Sequence, residues 1–193
     1  MNFKKLLLST AVLALVFQIQ LANAANPKVK METSKGTMII ELYPDKAPVT
    51  VANFLSYVNE GAYDGTIFHR VIKNFMNQGG GFTADFKKVD TKEPIKNEAD
   101  NGLKNLKNTV AMARTGQPHS ATNQFFINTA NNDFLDHTSK TSRGWGYTVF
   151  GKIIEGQNIS GIISRAATGP GGPFSKDVPR TTITIIKMTE IKE

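Results

Sequence analysis

Phe68-His69-Arg70-Val71-Ile72-Lys73-Asn74-Phe75-Met76-Asn77-Gln78-Gly79-Gly80 sets large apolar side chains beside an arginine, several amides and a double glycine. Its β-type residues predict two short strands, from Thr66 to Val71 and from Phe75 to Gln78. Side chains alternate between the faces of a strand, so Met76 and Gln78 share a face. A later segment, Gln124-Phe125-Phe126-Ile127-Asn128, follows the same logic, with Phe126 opposite to Phe125 and Ile127. Such alternation can line an apolar pocket with a few directed polar groups, as ligand sites require. The same aromatics can simply fill a barrel core. Composition leaves both readings open and leans to the second.

Outward from these segments the chain is rich in short strands. Val29 and Met31 alternate with Lys28, Lys30 and Glu32; Ser34-Lys35-Gly36 makes a turn; Met38, Ile40 and Leu42 then share a face. This predicts a hairpin. Pro48 opens a helix in which Val51, Phe54, Leu55 and Val58 fall at helical spacing, with Gly61 placed to end it. Further strands are expected at Thr109 to Ala113, Gln124 to Asn128, Thr148 to Ile154 and Thr181 to Met188. A shorter helix from Gln157 to Ser164 would turn Ile159, Ile162 and Ile163 to one side, weakened by about 1 kcal/mol at Gly161. Many strands with one early and one late helix suggest a sheet closed on itself, although periodicity does not separate a barrel from a sandwich.

The N-terminus bears on the compartment. Lys4 and Lys5 precede a mostly apolar run, Leu6 to Phe17, and Ala22-Asn23-Ala24 offers small residues to a signal peptidase. This predicts a cleaved signal peptide at residues 1–24 and one domain at residues 25–193. The apolar run is shorter than the roughly 20 residues that span a bilayer. The segment carries two lysines and no acid, so its removal takes the net charge from +7 to +5. The basic residues are scattered, which argues against nucleic acid and a membrane surface as partners. The absence of cysteine excludes disulfides, thiolate nucleophiles and an N-terminal lipid on cysteine. Together these features predict a soluble periplasmic protein.

The string FHRVIKNFMNQGG resembles the signature of the cyclophilins, as do NEADNGLKN, TVAMAR, NQFFIN, DFLDH and YTVFGKIIEG in the same order. The resemblance runs from about Val29 to Ile191 and points to the periplasmic cyclophilins of Gram-negative bacteria. It implies a mainly β fold, a closed eight-stranded antiparallel β-barrel capped by two α-helices, with the substrate groove on its outer face. It implies a monomeric peptidyl-prolyl cis-trans isomerase that acts on proline-containing polypeptides without metal or cofactor. By motif position Arg70 matches the catalytic arginine and Gln78 the amide that positions it. Phe75, Met76, Phe126 and Leu135 match the proline pocket, and Ala113 and Gln124 the neighbouring binding positions. Where this chain departs from the common eukaryotic pattern, Phe134 replaces a tryptophan, Tyr147 a histidine, and Arg114 with Thr115 an Asn-Ala pair. Trp145 belongs to an extra segment. These substitutions at the substrate-binding positions imply weakened cyclosporin binding.

The chemistry of such a catalyst suits those residues. A peptide bond resists rotation by about 18–20 kcal/mol, and X-Pro bonds isomerise in tens to hundreds of seconds. Nothing need be attacked or oxidised; an apolar cup must hold the ring while a cation complements the twisted amide. Other chemistries find less support. Ser, His and Asp occur without a G-x-S-x-G elbow. Gly79-Gly80-Gly81 lacks the Lys-Ser/Thr of a phosphate loop, and His69, His119 and His137 lack metal-ligand spacing. Asn97, Glu98, Asp100 and Asn101 read as a solvated loop rather than a cation site. The alternative is a holdase that uses the same groove without turnover, for which Arg70 would have little purpose.

Overall fold

The structure, a computed structural model, describes residues 25–192, so the expected signal segment lies outside the described residues. The hairpin at the start is present as β1 (Lys28–Thr33) and β2 (Gly36–Leu42), with Val29 opposite Ile40 and Met31 opposite Met38. All four are fully buried. Helix α1 (Pro48–Asn59) begins with proline in its first turn and has no cap from Ala47. Its N-terminus is capped from afar: the Glu98 carboxylate accepts the backbone N–H of Val49 (3.2 Å) and Thr50 (2.9 Å) and the Thr50 hydroxyl (2.7 Å). A carboxylate there also complements the helix dipole. Gly61, at φ 69°, takes the left-handed turn that ends the helix.

There follow β3 (Arg70–Ile72), β4 (Met76–Gly79), β5 (Thr109–Met112), β6 (Phe125–Asn128), β7 (Val149–Glu155), α2 (Gln157–Ser164), β8 (Thr168–Gly171), β9 (Phe174–Pro179) and β10 (Ile185–Ile191). Eight strands form one antiparallel sheet in the order β10-β1-β2-β7-β5-β6-β4-β3, and β8 pairs with β9. The ladder has edges at β3 and β10. They meet through one bridge, Ile67 to Thr184, flanked by Phe68 N–H to Ile183 O (2.9 Å) and Ile185 N–H to Thr66 O (2.7 Å). The barrel expected as closed is therefore a curled sheet with a short seam. The physical reason is that β3 is three residues long, and the predicted strand from Thr66 joins the ladder only at Arg70.

Two apolar clusters sit on opposite faces of shared strands. Inside, Phe54 of α1 packs against Phe125 (5.7 Å, edge-on) and Phe150 (5.0 Å), joined by Met38, Ile40, Val110, Met112 and Ile127. Each such side chain stabilises the fold by about 1.5–3 kcal/mol when buried. Outside, Met76, Ala111, Phe126, Leu135 and Val149 form the second cluster. Along β6 the alternation is as expected: Phe125 and Ile127 point in and Phe126 points out.

Three further expectations change. Ile162 leaves the buried side of α2 and stands 42 % exposed, because Ser160, Ile163 and Ser164 take the inner face. The closing strand starts at Ile185 rather than Thr181 and runs to Ile191. The β8–β9 hairpin is new: its glycines suggested only turns, yet Gly171 pairs with Phe174 across it.

Candidate active site

Arg70 and Gln78 face each other across β3 and β4, and Gln78 is in turn opposite Phe126 of β6. Arg70, Gln78, Phe75, Met76, Phe126, Leu135, Ala113, Arg114 and Tyr147 line a single cavity of about 100 Å³ on the outer face. That is on the order of three waters at about 30 Å³ each, the scale of one small ring. Gln124 lines an adjoining cavity of about 160 Å³ with Gln78, Ala113, Arg114 and Thr115. Phe134 lines neither. It is 75 % exposed and stacks on Phe75 at 5.5 Å, so it forms the rim.

The floor is apolar and tightly held. Met76 and Phe126 are buried, and Tyr147 meets the Phe126 ring edge-on at 5.7 Å. Leu135 lies on a short turn, Asp133–Leu135, anchored by a buried asparagine network. Asn132 Nδ2 donates to the Phe75 carbonyl (2.9 Å) and to Asn128 Oδ1 (2.6 Å). Asn128 Nδ2 donates to Thr109 Oγ1 (2.9 Å), and Asp136 Oδ1 accepts the Asn105 N–H (2.8 Å). Sequence reasoning missed these residues. Four amide or acid side chains recurring near the motifs were a signal, but their burial was not visible.

The polar side is a relay of amides. Arg70 Nη1 donates to Gln78 Oε1 (3.5 Å), and Gln78 Nε2 donates to Gln124 Oε1 (2.9 Å). Gln78 thereby has its oxygen fixed towards the guanidinium. Gly81 leaves room for this: a Cβ there would lie 2.5 Å from Gln124 Cδ. Asp177 Oδ2 also approaches Arg70, at 3.7 Å from Nε. Asp177 belongs to β9, at φ 67°, and no sequence motif marked it. Arg114 is tied down by Gly146 O (2.8 Å) and Thr115 O (2.9 Å), with its guanidinium 4.6 Å from the Tyr147 ring centre. No carboxylate lines either cavity.

His69, next to Arg70, is buried between Phe82 (4.8 Å) and Phe174 (5.5 Å). Burial pushes its imidazole down to about 4, with the Arg70 charge adding to the effect and hydrogen bonding to Ile67 and Gln124 opposing it. It is a neutral packing residue at pH 7. Asn97 and Asn101 serve the loop: Asn97 Nδ2 donates to Pro118 O and Gly146 O (both 3.1 Å), and Asn101 Nδ2 to Val149 O (3.0 Å). Trp145 is buried away from the site and donates to His119 Nδ1 (3.1 Å). Among the described residues, no three His, Asp or Glu side chains are grouped to hold a metal ion.

An apolar cup, a fixed guanidinium at its mouth and an oriented amide can grip a small ring and complement an amide whose charge is redistributing. Residues 28–190 match the family model described as cyclophilin type peptidyl-prolyl cis-trans isomerase/CLD. Peptidyl-prolyl cis-trans isomerase cyp18 of Streptomyces antibioticus is 56% identical over 157 residues, covering 81% of this chain and 94% of its own. Peptidyl-prolyl cis-trans isomerase B of Escherichia coli K12 is 52% identical over 161 residues, covering 83% and 98%. Peptidyl-prolyl cis-trans isomerase A of Dickeya dadantii is 49% identical over 177 residues, covering 92% and 91%. A similar fold is the crystal structure of a cyclophilin type isomerase of Cryptosporidium parvum in the presence of the dipeptide Ala-Pro. Its TM-score is 0.68 at 24% identity, covering 86% of this chain and 99% of that one.

Proposed function

Because the chain belongs to the cyclophilin-type peptidyl-prolyl cis-trans isomerases and so accelerates rotation about X-Pro bonds, we propose that Arg70 and Gln78 are its catalytic pair and that the cup beside them takes the proline ring. Rotation by a quarter turn removes amide resonance and returns a lone pair to the prolyl nitrogen. The Arg70 guanidinium, always protonated, donates towards that nitrogen. Gln78 holds it in place and keeps its own amide oriented through Gln124. Met76, Phe126 and Leu135 fix the ring while the preceding carbonyl swings, and their dry surface weakens the solvation that favours the planar, polarised amide. The twisted state is bound better than either planar isomer, which is the catalytic task. The observation that carries this reading is the Arg70–Gln78–Gln124 relay ending at the apolar cavity.

Arg70→Ala removes a donor preorganised for developing charge, worth about 2.7–4 kcal/mol. The expected loss in kcat/KM for a proline tetrapeptide is about a hundred- to thousand-fold, with a much smaller change in peptide affinity. A folded variant with near wild-type isomerisation would overturn the mechanism and favour a holdase.

The substrates we propose are exported polypeptides folding in the periplasm, with the enzyme working as a monomer. Support comes from the basic start, apolar run and Ala22-Asn23-Ala24 site. A periplasmic product whose mass begins at Ala25 is expected; a soluble product retaining Met1 to Ala24, or a membrane-bound one, would refute export by cleavage.

A further inference from the structure

A cavity of about 540 Å³ lies against α2 and the β3–β4 turn rather than in the proline groove. Lys73 of that turn, Lys107 before β5 and Arg165 at the end of α2 all line it, and no carboxylate does. Among the described residues none of the three forms an ion pair, whereas Lys92, Lys104 and Lys140 each have an acidic partner. A second cavity, about 180 Å³, shares Ile162 and Arg165 with the first and adds Lys35 and Arg180, again without a carboxylate. The exposed Ile162 stands where the two meet. Like charges gathered without counter-charge form a field that concentrates anions.

We propose that this cleft binds an acidic, extended polypeptide segment, with an apolar residue of the segment resting on Ile162. The cations match its carboxylates. Asn74, Asn108 and Asn158 on the lining can each donate to and accept from a peptide backbone. The concave shape suits a chain. An anionic bilayer would instead be met by a broad apolar face rimmed by cations, and here one isoleucine is exposed on α2. The consequence, which rests on the isomerase reading, is that a client held by an acidic stretch offers its prolines to the groove at raised effective concentration.

The test uses a short, proline-free, fluorescent peptide of Asp and Glu with one central leucine. Its all-lysine counterpart, inorganic phosphate and phosphatidylglycerol vesicles serve as comparisons. The acidic peptide alone should bind, more weakly at higher salt. Lys107→Glu with Arg165→Glu should weaken it about tenfold or more, replacing attraction with repulsion, while kcat/KM on a proline tetrapeptide stays unchanged. In the wild-type protein, amide NMR shifts should centre on Lys73, Thr129 and Asn158. Undiminished binding in the variant, shifts centred on Arg70 and Gln78, or binding of phosphate or vesicles in place of the peptide would overturn the proposal. Loss of the Arg70 mechanism would leave these binding results standing, so the two readings fail separately.

Discussion

Acid should destabilise this protein through His69 well before its carboxylates are protonated. The imidazole titrates near 4 in the folded chain, held down mainly by burial, and near 6.5 when unfolded. Between those values the unfolded chain binds more protons, so stability rises with pH across this window and is fully present above about 6.5. As pH falls from 6.5 to 4 that contribution is lost. The gap of about 2.5 pH units, at about 1.4 kcal/mol each, amounts to about 3–4 kcal/mol. This is a large part of the 5–15 kcal/mol typical of a domain. Asp85 and Asp100 are also held below their ordinary values, by hydrogen bonds from Lys87 and Lys140. They act below the usual carboxylate range, in a lower window. The assay is urea unfolding at several pH values, wild type against His69→Phe. A phenyl ring suits the pocket between Phe82 and Phe174; it forgoes the hydrogen bonding to Ile67 and Gln124 at every pH, so the slope and not the absolute stability is the readout. The variant should be flatter between pH 6.5 and 4 by about 3–4 kcal/mol. Equal slopes in the two proteins would refute the reasoning.

Gly81→Ala should push Gln124 aside and loosen its hold on Gln78, lowering kcat/KM by about two- to tenfold, the worth of one neutral hydrogen bond. An unchanged rate in a folded variant would mean that the relay tolerates displacement. Asp177→Asn should cost up to about fivefold in kcat at unchanged KM, since an exposed ion pair is worth about 0.2–1 kcal/mol; the same substitution in an Arg70→Ala background should cost nothing, and an equal cost there would place Asp177 outside the Arg70 interaction. Phe134→Trp should strengthen cyclosporin inhibition several-fold, because phenylalanine lacks the indole N–H and the rim position is open to a large ligand. Inhibition curves that coincide would show that Phe134 is not the matched position.

Much of the architecture was legible because burial imposes a period. Val29, Met31, Met38 and Ile40 alternate, and Phe125 and Ile127 oppose Phe126, since a strand between core and groove has no other arrangement. Site residues came from motif matching, and the fold gathers ten of the eleven around two joined cavities. Phe134 falls on the rim because the turn that buries Leu135 directs its neighbour outward. The β8–β9 hairpin escaped notice because Gly169, Gly171 and Gly172 carry no alternating pattern, and with it went Asp177. The asparagine network was illegible for another reason. Asn105, Asn128 and Asn132 are polar residues with buried partners far along the chain, and no local rule separates them from solvated loop residues. Ile162 shows the limit of helical spacing in a helix of eight residues: two serines face inward where the pattern offered isoleucine.

The two-sided use of β4, β5 and β6 divides the labour of the sequence by parity. Val110, Met112, Phe125 and Ile127 answer to the interior, while Ala111, Phe126 and Met76 answer to the groove. Neighbours in the chain are thus under unrelated demands. A substitution that reshapes the cup need not open a void in the core, and one that repacks the core leaves the cup's lining chemically unchanged. Enzymes whose sites are hollowed out of their cores lack this freedom, since every gain in pocket shape is a loss of packing. On this barrel, substrate preference can drift residue by residue while the scaffold stays fixed.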